Sequence, residues 1–70
     1  METKIRQLLT KINKNRNWLA SEVGGGTGYV YLIADGHMKA TKPHQERIAK
    51  ALGTTPEVIF DDYGMARTGQ

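Results

Sequence analysis

The sequence predicts an all-α protein, a compact bundle of about five short helices. Three observations point there. Apolar residues recur at helical spacing in short separate segments, clearest at Ile5, Leu8, Leu9 and Ile12. Asparagine, glycine or proline punctuates the gaps between those segments, at Asn15, at 24–26, at Gly36, at Pro43 and at Gly53. No segment reads as a strand.

The first helix is predicted over residues 3–14. Thr3 is its N-cap, and Lys4, Arg6, Lys11 and Lys14 occupy the faces away from the apolar stripe. A basic membrane-surface helix would look similar, but the matching apolar segments that follow favour a core helix. Asn15 breaks this helix and caps a second, over 16–23. Leu19 and Val23 share one face of it, and Trp18, the only tryptophan, is expected to pack beside them. Glycines 24–26 then require a sharp turn. A third helix, over 27–35, follows. Val30, Ile33 and Ala34 point inward, whereas Gly28, Leu32 and Asp35 point outward, flanked by Tyr29 and Tyr31. Gly28 inside that helix costs about 1 kcal/mol relative to alanine, so its first turn is expected to be weakly formed.

Gly36 ends the third helix, and a loop leads to Pro43 in the first turn of a fourth, over 43–52, with Ile48, Ala49 and Leu52 inward. Gly53 stops it. Thr54 and Glu57 have capping-box spacing ahead of a fifth helix over 56–62. Its consecutive Val58, Ile59 and Phe60 exceed what one narrow face hides. They either complete a small core or leave Ile59 or Phe60 for a dimer contact. The domain is read as 1–63, with 64–70 a disordered tail.

Composition narrows the function. There are no cysteines in the 70 residues, which excludes disulfides and thiolate metal sites. His37 and His44 lack a metal-ligand pattern. No apolar run approaches the roughly 20 residues of a membrane span. The first residues are too polar for a secretory leader, so a cytoplasmic, nucleoid-associated location is expected. Net charge is +3, unevenly spread: residues 1–50 carry +5 and residues 51–70 carry −2. A basic body with an acidic end fits a polyanionic partner.

The glycine turn differs from the phosphate-binding loops. No Gly-Lys-Ser/Thr ending follows it, and no strand precedes it, so neither a P-loop nor a dinucleotide fingerprint fits. Residues 25–28 match the short G-x-x-G of KH domains, but those also need a sheet. Two short helices across a tight turn instead make a helix-turn-helix, whose second helix enters the DNA major groove.

Leu19, Ala20, Val23 and Gly24, followed by Tyr29, Val30, Ile33 and Gly36, resemble the helix-turn-helix of phage Cro and repressor proteins, the XRE-like regulators. Ile48, Ala49, Ala51, Leu52, Gly53, Thr54, Thr55, Pro56, Val58 and Ile59 are similar to that family's fourth helix and the start of its fifth. The likeness covers roughly residues 4–62 and implies a lambda-repressor-like fold. It departs at Gly25, where the family usually has a core-plugging valine or isoleucine. It departs also at Gly26, where a Ser or Thr cap is usual, and at Ala34, where many members carry Glu.

The resemblance implies that Thr27, Gly28 and Leu32, with Tyr31 beside them, face the bases. It implies phosphate contacts from Asn15, Arg16 and Asn17 at the start of the second helix, where free N–H groups attract anions. The loop beside the DNA backbone would add Lys39, Thr41 and Lys42. No Gln, Asn or Arg stands in the base-facing set, so thymine-methyl contacts and DNA shape are expected to supply specificity. The expected function is a sequence-specific double-stranded DNA-binding regulator, a small phage or mobile-element repressor acting by operator occlusion as a homodimer. The alternative is a protein-interaction module, such as an antitoxin or co-regulator, presenting Tyr31, Leu32 and Phe60 to a partner. No cofactor, catalysis, membrane or small-molecule ligand is expected.

Overall fold

The computed structural model describes residues 2–68. Five helices follow one another: α1 (Lys4–Lys11), α2 (Arg16–Val23), α3 (Thr27–Ala34), α4 (Lys42–Ala51) and α5 (Pro56–Ile59). The molecule is a small all-α bundle. Helix α2 packs on both α3 and α4, and α4 on α5. Each helix supplies a stripe to one core: Ile5 and Leu9; Leu19, Ala20 and Val23; Val30, Ile33 and Ala34; Ile48 and Ala49; and Ile59, joined by Leu52 and Phe60. Each large aliphatic side chain fully removed from water contributes about 1.5–3 kcal/mol.

Helix α1 is shorter than its apolar spacing predicts. Asn13 takes a left-handed backbone, φ 61, and the Lys14 amide returns to the Leu9 carbonyl at 2.8 Å. That closure ends the helix at Lys11 and leaves Ile12 exposed. Thr3 caps α1 as expected, accepting from the Arg6 amide at 3.2 Å. Its hydroxyl also donates to the Ala34 carbonyl at the end of α3. Asn15 caps α2, accepting from the Trp18 amide at 2.9 Å. Trp18 is half-buried against the core.

The fifth helix differs from its expected form at both ends. Its cap residue is Thr55, not Thr54, because the Thr54 amide is drawn back to the Ala49 carbonyl across Gly53 and closes α4. Helix α5 stops at Ile59, and Phe60 is extended, φ −122. The reason lies in residues 64–68, which are not the loose tail their composition suggests. Phe60 pairs with Ala66, Thr3 pairs with Thr68, and the Arg67 amide donates to the Ile59 carbonyl at 2.8 Å. Asp61 builds the turn between the paired segments, its Oδ1 accepting from the Tyr63 and Met65 amides. Residues 69 and 70, the remainder of the expected tail, lie outside the described residues.

Candidate nucleic-acid interface

The turn between α2 and α3 is built from backbone conformations that favour glycine. Gly24, Gly25 and Gly26 have φ of 72, 87 and 103. At Gly25 there is a second reason for glycine. A Cβ there would stand 2.2 Å from His44 Nε2. His44 therefore occupies the space that a side chain at position 25 would enter. Its Nε2 lies 3.2 Å from the Gly24 carbonyl, which can only accept, so the bond requires the proton on Nε2. His44 is half-buried here.

His44 also meets the edge of the Tyr29 ring, centroids 4.9 Å apart at 75°. The Tyr29 hydroxyl donates to the Lys39 carbonyl at 3.4 Å and accepts from the Thr41 amide at 3.3 Å. One tyrosine thus fastens the loop carrying Lys39 and Thr41, which leads into Lys42 at the start of α4, against the flank of α3. All three residues are exposed. Thr41 sits at the N-cap of α4, but its hydroxyl makes no cap bond.

Helix α3 presents the face its periodicity predicts. Val30, Ile33 and Ala34 are fully buried, whereas Thr27, Gly28 and Leu32 are exposed. Gly26 caps the helix without a side chain. Tyr31 is half-buried and flanks the outer face opposite in sense to Tyr29. The Arg16 guanidinium lies over its ring at 4.4 Å.

The start of α2 behaves less simply. Asn17 is exposed, while Asn15 spends its side-chain oxygen on the cap. Arg16 is committed to Asp35, Nη1 to Oδ2 at 2.6 Å, and Arg6 Nη1 stands 3.6 Å from Oδ1 of the same carboxylate. Asp35 does not point outward into solvent as the helical period predicts. It is the C-cap of α3, still with helical backbone angles, and Arg16 and Arg6 close over its carboxylate. No local pattern announces this pair, whose members are 19 residues apart.

The expected dimer contacts are corrected. Ile59 and Phe60 are 0% and 2% exposed, so neither can meet a second copy, and Phe60 is equally closed to a protein partner. Both belong to the common core, and the 64–68 segment returns beside them, Ala66 pairing with Phe60 and the Arg67 amide donating to the Ile59 carbonyl. The exposed apolar residues nearby are Val58 and Tyr63.

Among the described residues no group of His, Cys, Asp or Glu is arranged to hold a metal, and no helix is long and apolar enough to cross a membrane. The Glu57 carboxyl is held below its ordinary value, first by its own backbone amide and then by the Thr55 hydroxyl. Compared with known proteins, the chain matches no family model, no curated protein and no solved structure.

Proposed function

We propose that this chain is a sequence-specific double-stranded DNA-binding regulator of the Cro or XRE-like kind, with α3 entering the major groove. One observation carries the reading. The outer face of α3, with Thr27, Gly28 and Leu32 exposed, is bordered by Lys39 and a free Thr41 hydroxyl on a loop that Tyr29 holds in place, and by Lys42 at the start of α4. An exposed helix face flanked by cations on a fixed scaffold is what groove entry and phosphate anchoring require.

In this reading Leu32 and the Thr27 methyl touch thymine methyls, and Gly28 lets the backbone approach the base edges. Lys39, Thr41 and Lys42 anchor phosphates on one side, and Asn17 with the amides of α2 on the other. A single small domain makes few phosphate contacts. Two copies on half-sites about one helical turn apart would supply useful affinity and would block polymerase by occupancy.

The test is fluorescence anisotropy of labelled duplexes over a salt series, one from upstream of the protein's own gene and one scrambled. Binding to the upstream duplex that is tighter and survives moderate salt supports the reading. Absence of binding to both duplexes overturns it, and turns attention to the exposed Leu32 and Met38 as a protein contact.

A further inference from the structure

Asp35 stands where a carboxylate is electrostatically unwelcome. It is the C-cap of α3, and the C-terminal end of a helix carries partial negative charge. Two arginines from other elements offset this: Arg16, the first residue of α2, and Arg6, on α1. The site is partly dry, with the Asp35 side chain 23% exposed. Oδ1 is shielded from solvent and accepts no hydrogen bond, so Arg16 on Oδ2 is the carboxylate's principal partner. Withdrawal of Arg16 would leave a half-buried charge facing only Arg6 at 3.6 Å. The Tyr31 ring holds the other side of the same guanidinium at 4.4 Å. Arg16 is thus gripped from two sides, at the edge of the face read above as DNA-binding.

We propose that Asp35 is an intramolecular competitor for DNA phosphate, which keeps Arg16 out of the phosphate-contact set and so lowers affinity for DNA of arbitrary sequence. The inference rests on the DNA-binding reading. Phosphate contacts position a protein without reading sequence, and each adds equally to specific and non-specific binding. Neutralising one arginine beside the recognition helix shifts the balance toward base contacts. Asp35 then sets specificity without touching a base, and Arg16 positions Tyr31 instead of anchoring the backbone.

The experiment is a cycle of Arg16→Gln, Asp35→Asn and the double variant. Binding to a scrambled duplex is measured against salt, beside Asp62→Asn as a control of equal charge on an exposed residue. In the native background Arg16→Gln should leave the log–log salt slope unchanged. Asp35→Asn should steepen it by about 0.9, the value of one phosphate contact, and Arg16→Gln in that background should remove the gain. Asp62→Asn should not reproduce it. A slope that falls by about 0.9 with Arg16→Gln alone overturns the inference, because Arg16 is then already a phosphate contact. An unchanged slope in Asp35→Asn overturns it too, and leaves DNA binding standing. Should Asp35→Asn fail to fold, the Arg16→Gln slope alone decides. If the native chain binds no duplex, the DNA reading fails, and elution from heparin decides the inference separately. Later elution of Asp35→Asn than of Asp62→Asn supports the masking, and co-elution refutes it.

Discussion

The two ends of α3 are held by different means. The C-terminal end is over-determined: Ala34 is fully buried, its carbonyl takes the Thr3 hydroxyl, and Asp35 joins two arginines. The N-terminal end has a glycine cap with no side-chain bond, a second glycine one residue inside the helix, and exposed Thr27. Its fixed points are indirect, through Tyr29 and His44. The difference teaches where order is needed beforehand. The end proposed to meet the bases is the less restrained one, so part of its ordering can accompany binding, while the far end keeps the helix at a fixed angle.

The comparison breaks most severely at Ile33, which anchors the rigid half at 0% exposure. Ile33→Ala is expected to cost about 2–5 kcal/mol in denaturant unfolding. A loss under about 1 kcal/mol would mean that the C-terminal half is no better packed than the other.

Gly25 probes the loose half. Gly25→Ala places a side chain at φ 87 and against His44 Nε2. The left-handed backbone alone costs about 1–2 kcal/mol, and displacement of His44 from the Gly24 carbonyl adds to it. The same substitution in a His44→Ala background should cost only the backbone part. Equal costs in both backgrounds would show that His44 does not fill the turn.

Gly28 sharpens the contrast in the opposite direction. Its φ is not positive, and a Cβ there meets nothing within 4 Å. Gly28→Ala should therefore stabilise the chain by up to about 1 kcal/mol in thermal or denaturant unfolding. If DNA backbone or bases approach closely at this position, the same variant loses duplex affinity while gaining stability. Gain in both would argue against that approach.

The smallest expected effect lies away from α3. The Glu57 carboxyl titrates below its ordinary 4.5 in the folded chain, held first by its own amide and then by Thr55. A depressed folded value contributes stability above the unfolded value, lost as pH falls through the folded one. Glu57→Gln should slightly lower stability at neutral pH, where the contribution is fully present, and slightly flatten the profile below about pH 4.5.

What was legible in the sequence follows the range of the forces involved. Helices α2 and α3, the cap at Asn15 and the inward set Val30, Ile33 and Ala34 are local or periodic, and the helical period alone locates them. The candidate face of α3 was legible for the same reason. The features that were not legible are long-range. The Arg16–Asp35 pair spans 19 residues, and the return of 64–68 over Ile59 and Phe60 depends on backbone pairing that composition does not encode. Three adjacent apolar residues at 58–60 therefore left core and dimer contact both open, and the structure puts Ile59 and Phe60 in the core and leaves Val58 exposed. His44 was not legible either, because its contacts with Gly24, Gly25 and Tyr29 cross from α4 to the turn and α3.

The most direct measurement is amide NMR of the chain titrated with the upstream duplex. The largest shift changes should fall on Thr27, Gly28 and Leu32 and on Lys39, Thr41 and Lys42, with Val58 and Tyr63 silent. Changes centred on Val58 and Tyr63, with α3 unmoved, would contradict the assignment of α3 as the nucleic-acid face.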